Sequence, residues 1–350
     1  MADLVVAVTG AAGFVGQRFV SKLATHPEIA RVVGLDVREP TVRAESCDYH
    51  RVDIASRDLR SLFDGVDVVV HLAGFVDAIT DDALMASVNV DGTRRVLDAV
   101  AVAGVGKLIR VSTTTVYGAW ETNSVPLTED AQLRPNSGYA PAVQSAEVER
   151  VLQEWQQQYP EVVVTTLRSA PVLGPGAEHL WARLLSYPTR VRVSGEVAPV
   201  QVVHVDDLVS ALELVVGKDA WGVFNVATDG WLSREVVDAL VPMPTMPRLP
   251  VGVLRRALDR MWGTGMGDVP PDVVPYLIHP WVVANDRMRA LGWQPMHSTE
   301  TTILDTVDAR PPSNAPSLRT VMFSFGAASV AVAVGVMYRT MRRRLANRNH

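Results

Sequence analysis

LVVAVTGAAGFVG, the stretch from Leu4 to Gly16, decides how this chain reads. Leu4–Val8 is a short apolar run without polar alternation, the pattern of a strand covered on both faces. Thr9-Gly10 breaks the run, and a helical pattern opens at Phe14 and continues to Ala24. Gly10 permits a tight turn, Gly13 lets the backbone approach an anion, and Gly16 allows close contact between helix and strand. A helix starting there offers free N–H groups and partial positive charge. A glycine pattern alone says little; with a strand before it and a helix after it, it predicts a turn that grips a dinucleotide's pyrophosphate.

Outward from that turn, short β-branched runs alternate with helical stretches. Strands are expected at Arg31–Leu35, Val66–His71, Lys107–Ser112 and Val162–Leu167, and helices at Ala83–Val102 and Ser145–Gln157. This alternation predicts an α/β fold, a Rossmann-like doubly wound parallel sheet over residues 1–175. Asp36 closes the second strand, 20 residues after Gly16. A carboxylate there bonds the ribose diol and repels a 2′-phosphate, so NAD is the expected cofactor, while nearby Arg38 leaves NADP open.

Residues 176–308 read as a smaller mixed substrate lobe, with some strands returning to the main sheet. Strands are expected at Val191–Val193, Gln201–His204 and Val223–Val226, helices at Asn285–Leu291 and Thr299–Asp308, and a broken connector at Pro242, Pro244, Pro247 and Pro250. Most of Trp181, Trp221, Trp231, Trp262 and Trp281 are expected in the core, with one or two at a substrate cleft. Asp81-Asp82 reads as a helix start and Asp206-Asp207 as a helix cap.

The chain has 350 residues, 48% hydrophobic and 20% charged, which excludes disorder as the main state. A net charge of −5 argues against nucleic acid as a partner. Cys47 is the single cysteine, which excludes an intrachain disulfide and any multi-cysteine metal site. The scattered histidines, His71 and His204 among them, read as structural hydrogen-bonders, so no metal site is expected. Lysines number only 3: Lys22, Lys107 and Lys218.

The start of the chain lacks the basic flank and long apolar core of a signal peptide. Its far end is different. Residues 309–319 read as a linker, and residues 320–338 as a stretch of 19 uncharged residues spanning roughly 28 Å as a helix. Arg339, Arg342, Arg343, Arg344 and Arg348 follow within the basic tail, 339–350. The expectation is a C-terminal hydrophobic membrane helix, with the arginines on anionic lipid and the main domain facing the cytoplasm. A spanning helix and one lying in the interface both remain open, as does a helix packed on a partner. Arg255, Arg256 and Arg260 read as a solvated face or a second lipid contact.

The glycine spacing TGAAGFVG resembles that of the extended short-chain dehydrogenase/reductase family, the epimerase/dehydratase type included. Further motifs match in order over residues 3 to about 308. Asp53-Ile54 is similar to the family's adenine contact, and His71-Leu72-Ala73-Gly74 to its loop after the next strand. Asn89 lies in an Asn-Val-x-Gly-Thr helix (here NVDGT). Ser112-Thr113-Thr114-Thr115-Val116-Tyr117-Gly118 resembles its hydroxyl-bearing strand end. Leu167-Arg168, Gly174-Pro175, His204-Val205-Asp206-Asp207 and Leu291-Gly292-Trp293-Gln294-Pro295 complete the set. The resemblance implies NAD held by Gly10, Gly13, Phe14, Val15, Gly16, Asp36, Asp53, Ile54, Leu72, Ala73, Gly74, Asn89 and Tyr139. It also implies a small-molecule substrate, and it leaves a homodimer open.

The family's catalytic device is Tyr-x-x-x-Lys with a Ser or Thr from the strand end. Tyr139 and Thr113 match the tyrosine and the hydroxyl. The lysine position is Val143, which offers neither charge nor hydrogen bond. The tyrosine then keeps a phenol pKa near its ordinary value of about 10. Three readings stay open: an enzyme in which an arginine or water replaces the lysine, a slow enzyme, or a non-catalytic NAD-binding scaffold at a membrane. The enzyme readings imply hydride transfer at an alcohol or carbonyl carbon of a nucleotide sugar, a sterol or a lipid-linked sugar.

Overall fold

The computed structural model describes residues 4–56, 58–185, 192–195, 197–243 and 248–309. The proposed linker, membrane helix and basic tail (residues 310–350) lie outside the described residues, as do Val191, Pro244 and Pro247. Among the described residues no helix is long and apolar enough to cross a membrane.

The first half alternates as the glycine turn requires: β1 (Leu4–Thr9), α1 (Phe14–Leu23), β2 (Ile29–Asp36), β3 (Cys47–Arg51), β4 (Val68–His71), α2 (Asp82–Ala86), α3 (Gly92–Ala103), β5 (Lys107–Thr113), α4 (Ala140–Gln158) and β6 (Val163–Ser169). The second half holds β7 (Val172–Leu173), α5 (Leu180–Leu184), β8 (Val203–His204), α6 (Val205–Gly217), β9 (Gly222–Val226), α7 (Arg234–Leu240), α8 (Val251–Gly263), α9 (Val274–Ile278), α10 (Asp286–Ala290) and α11 (Thr299–Asp308).

The main sheet has 7 strands in the order β3-β2-β1-β4-β5-β6-β9, and every pairing is parallel. The order reverses direction beside β1, so the strand ends there open a crevice. Helices cover both faces. Phe19, Val20 and Leu23 of α1 pack with Leu208, Leu212 and Val215 of α6 on one side. Val96, Leu97 and Val100 of α3 pack with Val148, Leu152 and Trp155 of α4 on the other. Two buried faces explain why β1 and β4 carry almost no polar residues. Met1–Ala309 cluster as one compact unit.

Several expectations need correction. Strand β3 has no apolar run: its sequence is CDYHR, and none of its residues is buried, because it pairs on one side only. The expected single helix at 83–102 runs continuously but is widened by a π turn at Ser87–Asp91 between α2 and α3. Helix α4 starts earlier than Ser145, since Pro141 sits in its first turn, where no N–H is needed. Of the lobe strands, Val193 makes a single bridge to Leu249 and only Val203–His204 pairs within 201–204. The connector runs directly into α8, whose Arg255, Arg256 and Arg260 are exposed. Trp281 is buried, but Trp221 and Trp231 are exposed and Trp181 and Trp262 half-buried, so most of the lobe tryptophans are not core. Asp206 and Asp207 do not cap α6. The His204 side chain does, accepting from the Asp206 N–H, while Asp81 caps α2 as expected.

Candidate functional site

Gly10 has a φ of +74°, and a Cβ there would lie 2.7 Å from the Ala73 nitrogen. A Cβ on Gly16 would lie 2.0 Å from the Gly10 carbonyl oxygen, so α1 is pressed onto the turn as closely as backbone allows. Gly13 differs: within 4 Å its Cβ would meet only the Gly10 oxygen, at 3.1 Å. Gly13 is the N-cap of α1, no side chain caps it, and the first turn carries no acidic residue. An uncapped, acid-free helix start beside a side-chain-free surface fits a diphosphate. The residues present therefore fit a dinucleotide.

Asp36 ends β2 against this turn. Its Oδ2 accepts from the Ala12 N–H at 3.0 Å and its Oδ1 from the Arg38 N–H at 2.9 Å. Each oxygen keeps a further lone pair for a ribose hydroxyl. Phe14 packs against the buried cluster that includes Leu173, Ala177 and Val202, and the Arg18 guanidinium covers its ring at 4.8 Å. Val15 joins the core under the sheet.

The loop after β4 lies directly against the glycine turn. Ala73 N–H reaches Thr9 Oγ1 at 3.3 Å, following Leu72, and Gly74 has a φ of +152°. Asn89, inside the π turn, accepts from the Phe75 N–H at 2.7 Å and donates to Gln144 at 3.0 Å. The irregular turn thus aims an amide at the loop and at α4 together. Beneath it His71 links Thr9 (2.7 Å) to Thr93 (2.9 Å). Burial, aided by the Arg110 charge, pulls the His71 pKa down to about 3, so the ring is neutral. Asp53 is exposed and accepts from the Ala55 N–H at 2.9 Å, while Ile54 is buried under Gly92.

Tyr139 precedes α4 and is 2% exposed. Its ring meets Tyr276 at 5.2 Å, and Tyr276 in turn donates to the Thr115 carbonyl at 2.9 Å. This ties Tyr139 to the turn after β5, where Thr113 caps by accepting from the Thr115 N–H at 3.2 Å. Ala119, Ala142 and Trp281 close the buried cluster, and Trp181 packs against it. Val143 lies one turn into α4, half-buried, and brings no charge. Burial pushes the Tyr139 phenol well above its ordinary range, the Asp77 carboxylate adds to this, and Arg183 opposes it weakly. No hydrogen bond joins the Tyr139 hydroxyl to another described residue.

Sequence reasoning missed Asp77, which accepts from Leu180 N–H at 2.8 Å and from Arg183 at 2.9 Å, along with Tyr276 and Gln144. Asp77 and Arg183 meet across 106 residues, and no local pattern announces such a pair.

The model of the NAD dependent epimerase/dehydratase family matches residues 6–227. The chain is 32% identical to a dTDP-glucose 4,6-dehydratase of Streptomyces griseus, over 73% of this chain and 79% of that one. It is 29% identical to a UDP-glucose 4-epimerase of Mycolicibacterium smegmatis, over 86% and 96%. A Thermus thermophilus UDP-glucose 4-epimerase solved in complex with NAD superposes with a TM-score of 0.68 at 25% identity, over 87% of this chain and 98% of that one.

Proposed function

The chain belongs to the NAD dependent epimerase/dehydratase family, and from that premise we propose that it oxidises a ring alcohol of a nucleoside diphosphate sugar with a modified active site. The glycine cradle and Asp36 support NAD as the cofactor, in keeping with an NAD-dependent enzyme family. The sugar-nucleotide substrate is supported by the relatives, which are named for dTDP-glucose and UDP-glucose. The observation that carries the modification is Val143, at the place of the missing cation, beside a phenol whose pKa burial has raised.

Bound NAD supplies the acceptor and donor of hydride. Tyr139 and Thr113 are then the groups at the substrate oxygen. A phenol held protonated donates a hydrogen bond and orients that oxygen, and it is a poor base. The enclosing aromatics Tyr276 and Trp281 exclude water from the exchange.

The test is turnover of UDP-glucose and dTDP-glucose, with bound NADH followed by absorbance and products by chromatography. Val143→Lys is expected to raise turnover by tenfold or more. Tyr139→Phe is expected to lower it by less than tenfold, against roughly 100- to 10,000-fold for a tuned acid–base group. A thousandfold loss in Tyr139→Phe would defeat the modified-site reading. Val143 also favours a second reading, a non-catalytic NAD-binding scaffold at a membrane. That reading is supported if neither sugar nucleotide reduces bound NAD, even in Val143→Lys.

Membrane association, with the body facing the cytoplasm, rests on the uncharged residues 320–338 and the arginines after them. The full chain is expected to sediment with vesicles containing anionic lipid, and a chain ending at Ala309 is not. Equal sedimentation of the two would remove this part of the proposal.

A further inference from the structure

We propose that His204, His297 and Asp305 bind a divalent metal ion of the zinc class, with water in the fourth position. The three come from the start of α6, the loop before α11, and α11 itself, and one donor atom from each lies within 4.8 Å of the others. His204 is 3% exposed, and its Nε2 is buried without a partner. A Cβ on Gly174 would stand 3.0 Å from that nitrogen, so only glycine there leaves its approach clear.

His297 is backed in the way metal-bound imidazoles are. His297 Nδ1 lies 3.1 Å from Oδ2 of the buried Asp207 carboxylate. The carboxylate accepts, so Nδ1 carries the proton and Nε2 keeps its lone pair. His204 Nδ1 accepts from the Asp206 N–H at 3.2 Å, which leaves the ring proton on Nε2, facing no acceptor. An ion at Nε2 takes the place of that proton. The displaced proton goes to water or to Nδ1; on Nδ1 it requires the ring to release the Asp206 N–H and close on Asp206 Oδ2, now 3.6 Å away.

Two imidazoles and one carboxylate suit zinc better than calcium or magnesium, which call for oxygen donors throughout. Donors in a tetrahedral zinc site stand about 3.4 Å apart, so binding must draw these three inward. The rings of His204 and His297 now stack at 3.9 Å, and His297 has to turn out of that stack. Its side chain is 28% exposed and Asp305 lies on the surface, so both have room to move. An ion here would clasp α11 to the start of α6, which packs on α1 of the glycine turn.

The test is calorimetric titration of the chelator-stripped full chain with Zn²⁺, with Mg²⁺ as control and Co²⁺ as a spectroscopic substitute. Expected are one equivalent of Zn²⁺ at micromolar affinity or tighter, no Mg²⁺ uptake, and visible bands of four-coordinate cobalt. His297→Gln and Asp305→Asn, both at accessible positions, are each expected to weaken Zn²⁺ binding tenfold or more. NAD binding and the unfolding midpoint of the stripped protein should stay unchanged in both variants, which shows that the fold is intact. Absence of stoichiometric uptake, or equal affinity in both variants, overturns the proposal.

Discussion

Replacing Glu149 with leucine is expected to remove about 3–5 kcal/mol of unfolding free energy, the cost of breaking a buried ion pair from one side. Glu149 is 2% exposed and Arg168 3%. The carboxylate accepts from Arg168 Nε at 3.0 Å and Nη2 at 2.7 Å, and from the Ser112 hydroxyl. Arg168 Nη1 continues the chain to the Tyr117 hydroxyl at 2.8 Å, which donates to Asn225 at 2.8 Å. A second guanidinium, Arg110, is buried nearby, and its Nη1 has no partner. Burial draws the Arg110 pKa down to about 10 while the Glu149 charge holds it up, so it stays cationic at neutral pH. Without Glu149, two buried cations would share a region with no carboxylate bonded to either. The double variant Glu149→Leu/Arg168→Met should regain part of the loss, because it removes a charge as well as its partner. Urea unfolding of the three proteins checks this. A loss below about 1 kcal/mol in Glu149→Leu would mean that the pair contributes no more than a surface one.

Gly16→Ala is expected to weaken NAD binding at least 100-fold, about 2.8 kcal/mol at 1.4 kcal/mol per factor of ten. Its new methyl would sit 2.0 Å from the Gly10 carbonyl oxygen and 3.0 Å from Ala11 Cα, both backbone. No side-chain rotation relieves that, so the turn must shift. The turn is fastened by Gly10 N–H to Leu35 at 2.7 Å and Gly13 N–H to Gly10 at 3.0 Å, and a shift breaks these too. Overpacking of this kind also costs about 1–3 kcal/mol of stability. Gly13→Ala separates the two effects. Its methyl meets one atom, the Gly10 oxygen, at 3.1 Å in the free protein, so the stability loss should be smaller than in Gly16→Ala while the diphosphate's space is filled. Equilibrium dialysis with NAD, beside thermal unfolding, reads both. Unaltered NAD affinity in Gly16→Ala would dismiss this turn as the cofactor's seat.

The glycine turn was legible because its demands are local. Three backbone segments must touch, and only glycine at set spacings lets them. The strands of the sheet's interior were legible because burial on two faces forbids polar residues along them. Strand β3 escaped notice for the opposite reason, since an edge strand meets water and CDYHR looks like loop. The π turn at Asn89 was hidden inside a continuous helical pattern, because one extra residue in a turn leaves the apolar spacing nearly intact. Tyr139 and Thr113 came from motif spacing, but their surroundings did not. Tyr276 and Trp281 reach the tyrosine from one distant segment and Asp77 from another, and only folding brings them there. The pairing of His204 with His297 is of the same kind.

Strand β9 has a consequence for how such a protein can change. It arrives late in the chain, after the second lobe has begun, yet it seals the open side of β6 and carries the Asn225 that ends the buried polar chain. The later half of the chain is therefore sewn through the sheet and cannot be exchanged as a cassette. New specificity has to be found by altering loops in place, because a cut between the halves would strip the nucleotide-binding layer of its own border.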